Sequence, residues 1–184
     1  MSTAAVLLSP CGVDCRLLAD GCAVPQDCTT SGCSPGQVED AILERLRPLQ
    51  QCLGVKTVTA FQGALDAEGW DRLRRGFPAI LVVYAGSPAF VTSGKRLEER
   101  MEFEVYVMDK SYRAKGTGQQ FGRPEAEGGH PGTYALLSAV RARLLGVAPL
   151  AQMGPCLPLS VNGFTQDNAS VYRLRLSTTQ HIIL

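Results

Sequence analysis

The chain has 184 residues, a net charge of +1, 45% hydrophobic residues and 19% charged residues. This composition is typical of one globular domain with a single core, and it argues against binding to nucleic acid or to an anionic membrane through overall charge. No apolar run is long enough to cross a membrane, and the first ten residues lack the basic start and the length of a signal peptide. We therefore expect synthesis as a cytoplasmic protein.

The N-terminal segment contains most of the cysteines. Five of the seven lie within residues 11–33, spaced C-x3-C-x6-C-x5-C-x4-C, namely Cys11, Cys15, Cys22, Cys28 and Cys33. No CxxC pair occurs, and the spacing matches neither the common zinc patterns nor the common ferredoxin patterns. Three alternatives stay open, which are disulfides, free thiols, and a metal or iron–sulfur site.

We interpret this cysteine-rich segment as an appendage and not as a catalytic centre. Residues 11–33 are poor in large apolar side chains, and disulfides are the usual way in which so short a piece becomes ordered. We therefore predict an N-terminal arm at residues 1–36 and a globular domain at residues 37–184. No cofactor is expected, with a metal or cluster on the arm as the alternative.

The globular domain is predicted to begin with a helix. In SPGQ, residues 34–37, Ser34 suits the N-cap, Pro35 the first turn, and Gln37 completes a capping box. Apolar residues then recur at helical spacing, and Pro48 should interrupt the helix because proline has no N–H to donate.

Two strands are predicted next, with a short helical turn between them. VKTVTAF, residues 55–61, is short and β-branched, whereas AILVVYA, residues 79–85, is a continuous apolar run typical of a strand buried on both faces. Trp70, in the turn between them, is interpreted as a packing residue.

Two later segments alternate with period 2, at residues 98–109 and 170–178. If these strands are neighbours, Glu102 and Glu104 should face Arg173 and Arg175, and each pair should contribute about 0.2–1 kcal/mol. We interpret the two carboxylates as a solvated strand face and not as an acid/base pair, because nothing in the pattern would raise one pKa.

A glycine-rich segment at residues 113–132 separates these strands. It lacks the spacing of a phosphate-binding loop and is predicted to be a mobile assembly loop, with contacts through four residues, Arg113, Lys115, Phe121 and Arg123. The helix TYALLSAVRARLLG, residues 133–146, follows, with Gly146 near its C-terminal cap. The order of elements predicts an α+β fold, a mostly antiparallel sheet with helices packed on one face.

No catalytic arrangement is predicted. The two histidines, His130 and His181, have no nucleophile or carboxylate at a spacing that indicates a shared site. Cys156 is interpreted as a small buried or loop thiol. The sequence therefore indicates a structural protein and not an enzyme.

Five segments in order carry a family resemblance: QVEDAILERLRP, FPAILVVYAG, RMEFEVYVMDKSYR, GTYALLSAVRARLLG and VYRLRLST. Over residues 37–180 the chain resembles the Mu-like phage and prophage family of tail terminators, also called tail completion proteins. The arm at residues 1–36 departs from the family pattern, so the resemblance implies nothing about its cysteines.

The resemblance implies a phage tail-terminator-like fold and a structural role in the virion. It implies a homo-hexameric ring at the head–tail junction, which caps the tail tube and contacts the head–tail connector or adaptor, with the tail sheath as a further neighbour. Genome DNA would pass through the lumen without specific binding, and assembly would take place in the host cytoplasm. Two alternatives remain, another neck protein such as an adaptor or connector, and a metal- or cluster-binding redox protein that uses the arm.

Overall fold

The computed structural model describes residues 32–61, 67–94, 96–110, 132–166 and 169–183. The elements in chain order are α1 (Pro35–Leu46), α2 (Pro48–Leu53), β1 (Thr57–Ala60), α3 (Ala67–Arg75), β2 (Ala79–Ser93), β3 (Arg96–Lys110), α4 (Thr133–Leu144), β4 (Leu157–Gln166) and β5 (Ala169–Ile183). The strands form one sheet in the order β1-β2-β3-β5-β4, in which β1 and β2 are parallel and the other pairs antiparallel. The predicted α+β class is confirmed.

The start of α1 has the predicted capping box. The Gln37 amide donates to the Ser34 hydroxyl, and the Ser34 amide donates to Gln37 Oε1 at 2.8 Å. Proline also divides the helix as predicted, because α1 ends at Leu46 and α2 begins at Pro48. Gly54 follows α2 in the left-handed region, with a φ of 63°.

The three central strands are longer than the sequence pattern predicted. β2, β3 and β5 each contain 15 residues, and β2 continues well past Gly86, where the apolar run stops. Two register shifts, on either side of Gly86, absorb this glycine and the nearby Pro88 without ending the pairing with β3. The strand β4 lies outside β5 and forms one edge of the sheet.

The main core lies between one face of the sheet and the helices α1, α2 and α4. Its strand residues come from alternate positions and include Ile80, Val82, Phe103, Val105, Leu174 and Leu176. Alternate residues of β3 and an apolar stripe of α4 are both part of this core, namely Met101, Phe103, Val105, Val107, Leu136, Val140 and Leu144. We call this side of the sheet the helix face.

The opposite face of the sheet is partly covered by α3. Trp70 contacts Phe77 edge-on, with ring centroids 6.0 Å apart, and both belong to a second cluster with Leu81, Met108 and Val171. Trp70 is thus a packing residue, as predicted. The remainder of this side, which we call the open face, carries the polar and charged residues of β3 and β5.

The pairing of β4 with β5 depends on a glycine. Gly163 lies directly opposite Tyr172, and a Cβ atom at position 163 would be 2.5 Å from Tyr172 Cε1. The tyrosine ring therefore fills the space that a side chain would need. A glycine inside a strand usually weakens it, and here the aromatic ring across the pair supplies the missing packing.

Candidate assembly surface

The open face carries a ladder of ion pairs between β3 and β5. Arg175 Nη2 lies 2.7 Å from Glu102 Oε2, and Arg175 Nε lies 3.5 Å from Glu104 Oε1. Arg173 reaches Glu104 at 3.6 Å, and Arg100 reaches the other Glu102 oxygen at 3.1 Å. The predicted pairing of Glu102 and Glu104 with Arg173 and Arg175 is confirmed.

The interpretation of this face as solvated was wrong for Glu102. Only 8% of the residue is exposed, because the guanidinium groups of two arginines lie against its carboxylate. Tyr106 donates to Glu104 Oε2 at 2.6 Å, and burial together with this hydrogen bond raises the tyrosine pKa above its ordinary value. Every carboxylate of the ladder therefore has a cationic partner, and the arrangement is suited to holding the strands in register.

The arm joins the domain at a fixed point on β5. The Cys33 amide donates to Gln180 Oε1 at 2.7 Å, and Gln180 Nε2 donates to the Cys33 carbonyl at 3.1 Å. Gly32 has a φ of 84°, and a Cβ there would be 2.9 Å from Ile182 Cγ1. Cys33 is buried in the main core. The last predicted arm cysteine is therefore packed against the domain.

Gln180 continues into a partly buried chain of polar side chains on the helix face. Its Nε2 also donates to Glu99 Oε2 at 2.7 Å, and Ser87 donates to the second Glu99 oxygen at 2.6 Å. The Tyr84 hydroxyl lies 2.7 Å from the Ser87 hydroxyl. These contacts orient the Gln180 carboxamide and so fix where the chain enters the domain.

Large exposed apolar side chains lie in two places on the sheet. The first group lies at the end of the sheet where β2, β3 and β5 extend beyond the start of β4. It comprises Phe90, Val91 and Ile183, which are 58%, 59% and 69% exposed. We call these three residues the hairpin tip. The second group lies on β4 itself and comprises Leu157, Leu159, Val161 and Phe164. Exposed apolar side chains gathered at one end or one edge of a sheet are candidates for contact with other proteins.

Cys156 does not have the environment of a nucleophile. It is 1% exposed, and burial raises the pKa of its thiol to about 11. A thiol in this state stays protonated at neutral pH, and the thiolate is the reactive form. The prediction of a small buried thiol is confirmed.

Most of the predicted site residues lie outside the described residues. These are Cys11, Cys15, Cys22, Cys28, Arg113, Lys115, Phe121 and Arg123. Within the described ranges, no group of three or more histidine, cysteine, aspartate or glutamate side chains is arranged to hold a metal ion. Among the same residues, no helix is both long and apolar enough to cross a membrane.

Sequence reasoning missed both Gln180 and the apolar residues of β4. Gln180 forms hydrogen bonds with the backbone of Cys33, which is 147 positions away, and no local sequence pattern predicts such a contact. LPLSVNGFTQ, the sequence of β4, mixes apolar residues with proline, asparagine and glycine, which are common in turns. Only its apolar residues at positions 157, 159 and 161 gave a period-2 signal.

The fold and the surface define a small α+β domain in which Glu102 and Glu104 pair with arginines on one face of the sheet, while apolar side chains remain exposed at one sheet end and on β4. Residues 36–180 match the family described as Bacteriophage Mu, Gp37, so the chain belongs to this phage protein family. The resemblance inferred from the sequence is thereby confirmed over nearly the same residues.

Comparisons with solved structures and with curated protein sequences add less to the identification than the family match does. One chain in the solved structure titled "Virion of native gene transfer agent (GTA) particle" is similar to this chain, with a TM-score of 0.43 and 14% identity, over 79% of this chain and 94% of that chain. No curated protein sequence matches. The family match therefore carries the identification.

Proposed function

We propose that this protein is a tail terminator, a non-enzymatic structural protein of a phage virion. It assembles as a hexameric ring on the last ring of the tail tube, stops tube polymerisation and provides a surface for joining the head. Membership of the Gp37 family over most of the chain supports this role. The implied partners are other copies of the chain, the tail tube protein, the tail sheath and the head–tail connector or adaptor.

The observation that carries the proposal is the apolar hairpin tip. Phe90 and Val91 are each more than half exposed on a sheet end that extends past β4, and Ile183 of β5 lies at the same sheet end, on the other side of β3. A contact with a neighbouring copy or with the tube would bury these side chains and remove their apolar surface from water. If the tip contacts a different surface on its neighbour, repetition of the contact closes a ring or extends a filament.

The charge of the chain fits a lumen through which DNA passes without specific binding. The net charge is +1, and the arginines of the open face are engaged by Glu102 and Glu104. The loop that holds Arg113, Lys115, Phe121 and Arg123 is proposed to contact the tube or to line this lumen. Assembly takes place in the host cytoplasm, and the protein then remains in the neck of the virion.

The arm is proposed to be held by disulfides in the mature particle, with no metal or other cofactor. A particle released from its host meets an oxidising environment, in which cysteines of a short segment can cross-link. The arm then serves as a clamp on a neighbouring subunit or on the connector. Mass spectrometry of alkylated virions without reductant should find cross-linked peptides, and stoichiometric iron or zinc would contradict the proposal.

Inactivation of the gene in the phage tests the function. Loss of a terminator should give tails of uncontrolled length and DNA-filled heads without tails, and a plasmid copy of the gene should restore infectious particles. Loss of an adaptor or connector would instead give finished tails of normal length that fail to attach. Normal-length tails in the mutant would therefore overturn the proposal.

A further inference from the structure

The outer edge of β4 is exposed and lacks the usual protection of a sheet edge. The strand has ten residues and none is charged, and no described strand pairs with its outer side. Its side chains from Val161 to Thr165 are all exposed. Sheet edges are commonly protected by charged side chains, proline or bulges, because free N–H and C=O groups recruit other strands. In β4 the proline and the register shift both lie at the start, between Pro158 and Ser160, so the stretch from Ser160 to Gln166 can accept a further strand.

The strand β4 presents apolar side chains on both faces of the sheet. Val161 is opposite Leu174 on the helix face. Phe164 is opposite Val171 on the open face. Both exposed side chains, at positions 161 and 164, are at least 40% accessible to solvent. A partner laid against one face would cover only one of them, whereas a strand added in the plane of the sheet lies beside both. The occupant that fits this edge is therefore another β-strand.

Length and charge favour β4 of a second copy of the chain as this strand. In the described sheet, the two strands with an unpaired outer side are β1 and β4. Because β1 has four residues, it could pair with only about half of the free stretch of β4. The strand β4 of a second copy has the same length and no charge, so self-pairing brings no like charges together. The nearest arginines on β5, Arg173 and Arg175, are already paired with glutamates of β3.

A two-fold axis at Gly163 gives β4 a register in which it is complementary to itself. Antiparallel pairing about this axis places Val161 of each copy opposite Thr165 of the other, on the helix face of the sheet. It places Asn162 opposite Phe164 on the open face. Valine and threonine are β-branched residues that pack well across a strand pair. Such an interface is isologous, because the same patch is used on both copies.

The glycine on this axis leaves room for aromatic side chains above it. Tyr172 of β5 lies opposite Gly163, and its ring is only 2.5 Å from where a Cβ atom of residue 163 would be. Tyr134 of α4 contacts Tyr172 with ring centroids 5.6 Å apart, and it is 43% exposed. In the pair, the two copies of Tyr172 are three strand spacings apart, about 14 Å, and each ring leans over its own glycine. The tyrosines of both copies thus flank the axis on the helix face.

We infer that the free protein forms a two-fold dimer in which β4 of one copy pairs with β4 of the other, antiparallel and centred on Gly163. The two five-stranded sheets then become one continuous sheet. The pairing satisfies the outward backbone groups of the edge and covers Val161 and Phe164. It uses a surface other than the hairpin tip, and it stands independently of the proposed tail function.

Sedimentation velocity of the full-length protein over a wide range of concentration tests the inference. Reductant is present, so that no cross-link through the arm contributes. The wild-type protein should pass reversibly from monomer to dimer as its concentration rises. Hydrogen exchange followed by mass spectrometry should show that the amides of β4 that point away from β5 exchange more slowly as the dimer fraction increases.

Two single substitutions should each weaken the dimer, and the two together should restore it. Val161→Lys and Thr165→Glu each place an unpaired charge in the interface, and each should raise the dimer Kd by about tenfold or more. In the double variant, the new lysine of each copy lies opposite the new glutamate of the other, so the Kd should return close to the wild-type value. Within one copy the two positions are about 13 Å apart along the strand, too far to pair. Leu157→Lys, on the same strand before the register shift, is the matched control and should leave the Kd unchanged.

Four outcomes would overturn the inference. The first is a wild-type protein that stays monomeric at every concentration. The second is a dimer that Val161→Lys leaves intact, because the contact would then lie elsewhere. The third is weakening by both single substitutions without recovery in the double variant, which would assign the edge to a different strand or register. The fourth is exchange of the outward β4 amides that does not change with concentration, a result that needs no variant and so does not depend on how well the variants fold.

Discussion

Arg175 donates from Nη2 to Glu102 Oε2 over 2.7 Å, which joins two central strands of the sheet on the face away from the main core. Glu102 is one of the few carboxylates in the described residues that are less than 10% exposed. A buried carboxylate that loses its hydrogen-bonded partner keeps the cost of desolvation without the compensating contact. The Arg175–Glu102 pair should therefore contribute more to the free energy of unfolding than an ordinary surface ion pair does.

Arg175→Gln should lower the free energy of unfolding by about 1–3 kcal/mol, because Glu102 would be left with Arg100 alone. Arg74→Gln is the control. Arg74 contacts Asp71 at 3.7 Å, both side chains are well exposed, and the change should cost about 0.5 kcal/mol or less. Urea denaturation measures both, and equal losses would contradict the special role of the Arg175–Glu102 pair.

Gly32→Ala should destabilise the protein more than Gly94→Ala does. Both glycines have a positive φ, 84° and 61°, so both substitutions carry the backbone cost of about 1–2 kcal/mol. A Cβ at position 94 meets nothing within 4 Å, whereas one at position 32 is 2.9 Å from Ile182 and 3.0 Å from Gln180 Oε1. Thermal unfolding compares the two variants. Equal midpoints would show that Gly32 does not pack against Ile182 and Gln180 as described.

The buried thiol of Cys156 should make the protein less stable at alkaline pH. Burial raises its pKa from 9.0 to about 11, so the unfolded chain loses this proton first. The resulting stability is fully present below pH 9 and is lost as the pH rises towards 11. Cys156→Ala should show a smaller decline across this window than the wild type, measured by urea denaturation at each pH. Parallel declines would contradict the assignment.

The hairpin tip should matter for assembly and not for folding. Phe90→Ser changes a side chain that is 58% exposed, so the unfolding midpoint should stay within a degree or two of wild type. The yield of infectious particles should fall at least about tenfold if the tip packs against a neighbour. Lys56→Ser, an exposed change on another part of the surface, is the control. Full infectivity of the Phe90→Ser phage would remove the tip from the interface.

The sequence pattern correctly predicted those parts of the fold whose structure is determined by residues close to each other in the chain. The capping box at Ser34, the break at Pro48 and the alternation of β3 all depend on residues close in sequence. The proximity of Glu102 and Glu104 to Arg173 and Arg175 was also predicted, because the two strands alternate and carry opposite charges. The register itself was not predicted, and it places Glu104 opposite Arg175 and Glu102 opposite Ser177.

The features that the sequence did not predict depend on contacts between residues that are distant in the chain. β2 continues past Gly86 because a long partner strand tolerates two irregularities, which no pattern within β2 reveals. Gly163 is accommodated in β4 because Tyr172 lies opposite, and Gln180 fixes the arm through a backbone far away in sequence. Glu102 is buried because of arginines on its own and the neighbouring strand, so its burial could not be inferred from β3 alone.

The most direct test of the tail-terminator proposal is electron microscopy of purified virions with this chain located in the map. We predict a single hexameric ring of the chain at the head-proximal end of the tail tube, with the hairpin tip buried against a neighbouring copy or against the tube. A dodecameric ring of this chain in the connector, or its absence from the junction in complete particles, would contradict the proposal.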